Sequence, residues 1–168
     1  MLVRQSPTAR LIITRVVEEG KEAPDFELKT DEGASQRLSS LRGSPVVLYF
    51  YTRDDTPGCT RQACGIRDSW TAFEERGAVV LGISPDGEDS HAEFKSKFDL
   101  PFTLLADSEH QVAEAYGVWV EWKIDGVPPF MGAERSTFVI DENGVVKKIL
   151  RRVEPDAHAA DVLAALGQ

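Results

Sequence analysis

The spacing of hydrophobic positions changes several times along this chain, and each change marks an element. Ala23–Leu28 alternates apolar and polar residues, the period of a half-exposed strand. Asp31-Glu32-Gly33 follows as a turn signal, so an N-terminal β-hairpin is expected. Val46–Tyr51 is an unbroken β-branched and aromatic run, the mark of a central strand covered on both faces. From Cys59 the apolar positions Ala63, Ile66, Trp70 and Phe73 recur at three and four residues, one face of a helix. Ala78–Ile83 predicts a second buried strand, Ser90–Phe98 a helix and Pro101–Ala106 a short strand. Ser108-Glu-His-Gln111 has the form of a capping box opening a helix through Tyr116. Arg135–Ile140 alternates like a strand, Asn143-Gly144 makes a hairpin turn, and Val145–Val153 is the partner. Pro155 starts a last helix with the face Ala159, Val162, Leu163 and Leu166, closed by Gly167.

Strands alternating with helices indicate a sheet with parallel neighbours, covered on both faces. The expected fold is α/β and thioredoxin-like, a central mixed β-sheet flanked by helices after the N-terminal β-hairpin. Val118–Phe130, carrying Trp119, Trp122 and Phe130, reads as a covering loop, with a substrate wall or a dimer contact as alternatives. Residues 1–19 hold Arg4, Arg10 and Arg15 and no acid before Glu18. They form an N-terminal extension, either an untethered tail or an edge strand over Leu11–Val17, ahead of one domain at 20–168.

The 168-residue length suits one domain that folds without a disulfide or metal staple. Nineteen basic residues against 28 acidic ones, a net charge of −9, argue against a nucleic-acid partner. No apolar run has the length of a membrane span and no secretory leader is evident, so a cytoplasmic chain without a membrane partner is expected. The two cysteines, Cys59 and Cys64, are too few and too close for a secreted disulfide framework.

Chemistry centres on Thr56-Pro57-Gly58-Cys59, between a buried strand and a helix. A thiol in the first helical turn meets unpaired backbone N–H groups and the positive end of the dipole, both of which favour a thiolate. The bland alternative is a small core residue. On an intact helix Cys64, at i+5, would lie roughly 8.7 Å from Cys59 between Cα atoms and about 140° around the axis. A disulfide needs less than about 7 Å, so the pair can react only if the helix unwinds; Cys64 is otherwise an inert helix residue. Thr56 is a helix N-cap with Pro57 at N1, or a donor aimed at the sulfur, or both. Asp54 and Asp55 read as solvated loop acids. His91, His110 and His158 are scattered and read as surface residues, so no metal site is expected.

At 50–68, FYTRDDTPGCTRQACGIRD, the sequence resembles the peroxiredoxin Q or bacterioferritin co-migratory protein class of peroxiredoxins. The similarity continues through GISPDGEDSHAEFKSKFDLPFTLLAD (82–107), AEAYGVW (113–119) and MGAERSTFVID (131–141). It implies that Cys59 is the peroxidatic cysteine and Cys64 the resolving one, joined in a Cys59–Cys64 disulfide. It also implies that Thr56 hydrogen-bonds peroxide, that the Gly58 backbone helps hold it, and that Arg135 reaches the active site from another strand. The proline of the family motif is Thr52 here, so a more mobile loop is expected, with Thr52→Pro equal or faster towards peroxide.

The implied activity is a thiol-dependent peroxidase acting on hydrogen peroxide and organic hydroperoxides. It would be recycled by thioredoxin or a glutaredoxin-like thiol donor, need no cofactor, and work as a monomer or weak homodimer. Rivals are a disulfide reductase on the same fold and a redox sensor whose helix unwinds on oxidation.

Overall fold

The computed structural model describes residues 17–167. Strands β1 (Glu27–Thr30) and β2 (Ser35–Arg37) form the expected hairpin, with Leu28 opposite Gln36. β3 (Val46–Phe50) leads into helix α1 (Pro57–Asp68), followed by α2 (Trp70–Glu75), β4 (Val79–Ser84), α3 (Glu88–Phe98), β5 (Thr103–Ala106) and α4 (Gln111–Ala115). Then come β6 (Trp119–Ile124), β7 (Val127–Ala133), β8 (Ser136–Ile140), β9 (Val146–Leu150) and α5 (His158–Leu166).

Seven strands make one sheet in the order β2-β1-β5-β4-β3-β8-β9. The β3–β4 and β4–β5 pairs are parallel and the remaining pairs antiparallel, which is the expected mixed sheet. Every residue of β3 is buried, and because side chains alternate along a strand, β3 feeds two cores. Val46, Leu48 and Phe50 pack with Phe138 and Tyr116 on one side. Val47, Tyr49 and Tyr51 pack with Ala63, Ile66, Phe73 and Val162 on the other, under α1, α2 and α5. Full burial of a side chain such as Phe50 contributes about 1.5–3 kcal/mol, so the centre of the sheet is a rigid base for the loop that follows β3.

Four local expectations need correction. The helix after Cys59 breaks at Ser69, whose backbone leaves the helical region (φ −106°, ψ 18°), although the apolar face runs on to Phe73. Periodicity could not show this, because the same face stays buried on both sides of the break. No capping box opens α4: His110 occupies the N-cap position without a side-chain bond. Asp107 accepts instead from the backbone N–H groups of Val112 (3.2 Å) and Ala113 (2.9 Å).

Residues 118–130 are not a loop, since β6 and β7 form a separate two-stranded sheet with Trp122 opposite Phe130. Pro128 and Pro129 hide that strand from a sequence pattern, and an isolated ribbon tolerates them because its outer edge needs no N–H donors. Helix α5 begins at His158, three residues beyond Pro155. The hairpin between β8 and β9 is as expected, with Gly144 turning at φ +84° and its N–H donating to the Asp141 carbonyl at 3.0 Å.

Of the N-terminal extension, the proposed strand Leu11–Val17 lies outside the described residues except for Val17, which is buried. Among the described residues no helix is long and apolar enough to cross a membrane.

Candidate active site

The end of β3 is where the site is built. Tyr51, the last residue of the buried run, is fully enclosed, and residues 52–56 then turn into α1. Thr56 is the N-cap residue in extended conformation (φ −95°, ψ 156°), with Pro57 opening the helix as expected. The Thr56 side chain does not cap. Its hydroxyl donates back to the Arg53 carbonyl at 2.9 Å, while its own carbonyl accepts from Thr60 N–H at 2.8 Å. Cys59 therefore lies in the first turn of α1, with its side chain turned into the core and 1% exposed.

The sheet register brings in Arg135. β8 runs antiparallel to β3 with Ser136 opposite Phe50, so the residue before Ser136 stands beside the start of the 52–56 loop. Arg135 Nη1 donates to Cys59 Sγ at 3.0 Å. Thr52 Oγ1 lies 3.1 Å from the same sulfur. Burial works against a thiolate here, but the Thr52 and Thr56 hydroxyls, the Arg53 backbone and the Arg135 charge outweigh it. The Cys59 thiol accordingly sits below its ordinary value. The Thr56 hydroxyl, bonded to the Arg53 carbonyl, also lies near enough to the sulfur to favour its thiolate.

Gly58 has a steric role in this arrangement. A Cβ there would lie 2.7 Å from Arg135 Nη2, so glycine leaves the space the guanidinium occupies. Cys64 is on the same helix, half-buried, and both cysteines are free.

The structure revises the surrounding polar residues. Asp55 is exposed and pairs with Lys97 at 2.7 Å, as a loop acid should. Asp54 is buried instead. It accepts from Tyr51 Oη at 2.6 Å and Ser90 Oγ at 2.7 Å, and lies 2.7 Å from His91 Nδ1.

His91 is fully buried rather than solvated, and its Nε2 faces the Leu105 carbonyl at 2.9 Å. The His91–Asp54 contact, at 2.7 Å and buried on both sides, ties the 52–56 loop to α3. Among the described residues Asp54, Asp86 and His91 are the one group whose ligand atoms converge as a metal site requires. Those atoms are already engaged, since Asp86 accepts from Asp54 N–H and Ser84 Oγ, both at 2.7 Å.

His158 is likewise fully buried, between Gln62 and Thr137, whereas His110 is partly exposed and stacks on Trp119 with 4.1 Å between ring centroids.

Two polar partners escape a periodicity reading. Gln62 is fully buried one turn after Cys59, and its Oε1 accepts from Arg135 Nη1 at 3.2 Å. His158 shares the inner face of α5 with Val162 and Leu166. The available signal was a polar residue on an otherwise apolar helical stripe, present in both helices. Over the loop, Thr52, Arg53, Thr56 and Pro85 face Val127, Phe130, Met131 and Gly132 of the β6–β7 hairpin across a cleft of about 610 Å³.

The fold that carries this thiol and arginine is shared with known proteins in its sequence and backbone. Residues 19–149 match the AhpC/TSA family. Peroxiredoxin Bcp of Bacillus subtilis is 49% identical over 150 residues, 89% of this chain and 95% of that one. A chloroplastic peroxiredoxin Q of Oryza sativa subsp. japonica is 44% identical, with 92% and 69% covered. Among solved structures, peroxidoxin BcpB of Mycobacterium tuberculosis superposes with a TM-score of 0.79 at 38% identity, covering 89% of this chain and 96% of that one. The bacterioferritin comigratory protein of Xanthomonas campestris, studied for alkyl peroxide reduction, gives 0.81 at 33%, covering 89% and 97%. The chain therefore belongs to the AhpC/TSA family, in its peroxiredoxin Q and bacterioferritin comigratory protein class, and is a thiol peroxidase of thioredoxin-like fold.

Proposed function

We propose that Cys59 is the peroxidatic cysteine and Cys64 the resolving cysteine of this peroxidase. The observation that supports it best is the convergence of Arg135 and Thr52 on a buried Cys59 sulfur at 3.0 and 3.1 Å. The Cys59 thiolate attacks one oxygen of ROOH. The O–O bond breaks, RO⁻ leaves and takes a proton as ROH, and Cys59 becomes a sulfenic acid. Arg135 holds the thiolate and then the shifting oxygen charge, with the Gly58 and Cys59 backbone N–H groups and the Thr56 hydroxyl beside it.

Cys64 then attacks the Cys59 sulfur. An S–S bond forms, and the sulfenic oxygen leaves as water. A dithiol reductant of the thioredoxin or glutaredoxin kind returns both cysteines to thiols and is itself oxidised to a disulfide. Thr52, Thr56 and the apolar hairpin residues Val127, Phe130 and Met131 wall the cleft over the loop, which suits an organic hydroperoxide with its alkyl end on the hairpin.

The test is a thioredoxin-coupled assay over hydrogen peroxide and alkyl hydroperoxides. Cys59→Ser should consume no peroxide. Cys64→Ser should give one turnover and stop at the sulfenic acid. Full thioredoxin-linked turnover of Cys64→Ser would overturn the resolving role, and disulfide reduction without peroxide consumption would favour the reductase reading.

A further inference from the structure

Gln62 lies between the two cysteines on α1 and joins three elements. Its Oε1 accepts from Arg135 Nη1 at 3.2 Å, and its Nε2 is 3.2 Å from His158 Nδ1. His158 Nε2 is in turn 2.7 Å from Thr137 Oγ1. Only one placement of protons satisfies this chain. The guanidinium can only donate, so Gln62 must turn its oxygen to Arg135 and its NH₂ to His158. Nδ1 therefore accepts, and Nε2–H donates to Thr137. His158 must be neutral for this, as its burial and the nearby Arg135 ensure by lowering its pKa to about 4.

The Cys59–Cys64 disulfide requires the first turns of α1 to unwind, because i+5 Cα atoms stand roughly 8.7 Å apart on a helix. Gln62 is inside the segment that must move. His158, on α5, and Thr137, on β8, are outside it. Unwinding therefore breaks the bond to His158 and removes a support of Arg135 in the same motion. We propose that His158 is a positioning residue which, through Gln62, latches the first turns of α1 closed and so sets the division between peroxide reaction at Cys59 and disulfide formation with Cys64. This rests on the assignment of Cys59 and Cys64 made above.

Rapid-quench mass spectrometry of the full chain, resolving thiol, sulfenic, disulfide and sulfinic forms of Cys59, provides the test. His158→Leu removes the acceptor for Gln62. With a neutral hydrogen bond lost, the peroxide step should slow roughly three- to ten-fold and the disulfide step should quicken by a similar factor. The sulfinic fraction at high peroxide should fall. His158→Gln, which keeps an acceptor, should restore both rates towards the native values.

Should His158→Leu fail to fold, Gln62→Met cuts the same link from the other side and must move the two steps in the same opposed directions. A merely structural role would slow both steps together or leave their ratio unchanged, and either result overturns the latch. If the native chain formed no Cys59–Cys64 disulfide, the cysteine assignment would fall, and the latch with it. A native disulfide with an unchanged ratio in the variants would overturn the latch alone.

Discussion

Arg135 Nη1 donates to Cys59 Sγ at 3.0 Å although 76 residues separate them. The contact exists because β8 pairs with β3 in a register that sets Ser136 against Phe50. A charge-assisted hydrogen bond contributes about 1.5–3 kcal/mol. Arg135→Ala should therefore cut the rate of Cys59 with peroxide by roughly 10- to 150-fold at neutral pH. The ultraviolet titration of the Cys59 thiolate should also move upward. In the native chain the rate should climb to a plateau at a pH below the ordinary thiol range, because the site lowers the Cys59 pKa. An unchanged titration in the variant would remove Arg135 from the site.

The hydroxyl of Thr52 changes the expectation for that position. Its oxygen is 3.1 Å from the sulfur, so it stabilises the thiolate as well as shaping the loop. Thr52→Val, which keeps the shape, should slow peroxide reaction about three- to ten-fold. Thr52→Pro loses the same donor and should be slower than the native chain, not equal or faster. Stopped-flow rates of the three proteins decide between these outcomes.

Gly58 separates activity from stability. An alanine Cβ would meet Arg135 Nη2 at 2.7 Å and push the guanidinium aside. Gly58→Ala should lose roughly ten-fold or more in peroxide rate, while its Tm stays level or rises, since alanine favours helix over glycine. Loss of Tm together with activity would contradict this.

Breaking the buried pair should do the opposite. His91→Leu leaves buried Asp54 with Tyr51 and Ser90 but without its imidazole partner, and leaving a buried polar group short of a partner costs about 1–3 kcal/mol. Urea unfolding measures it, and a loss below about 0.5 kcal/mol would mean the contact does not hold the loop.

Acid should weaken the fold through His158. Its pKa falls from 6.5 to about 4 on folding, through burial first and Arg135 second. The neutral form is favoured in the native state, so this stability is complete above 6.5 and is lost as pH falls towards 4. The contribution is at most roughly 3 kcal/mol. Urea titrations from pH 7 to 4 should show a steeper loss for the native chain than for His158→Gln.

Periodicity alone determined most of the architecture. The buried run at β3, the mixed sheet, the closing hairpin and the helix opening at Pro57 all follow from local patterns, because a strand or helix must present an apolar face at its own period. It also placed a reactive thiol at a helix start and showed that Cys64 cannot reach it without unwinding. The resemblance to a known family singled out Arg135 among 19 basic residues, which no pattern could do.

Only the tertiary structure decided the rest. Asp54, His91 and His158 look like surface groups in sequence, because a polar residue carries no local sign of a buried partner. Their burial depends on Tyr51, Ser90, Gln62 and Thr137 arriving from other elements. The prolines of β7 disguise a strand, and the break at Ser69 leaves the apolar period intact. What the chain encodes locally is which faces to bury. Which polar groups survive burial, and what they hold in place, is settled where the elements meet.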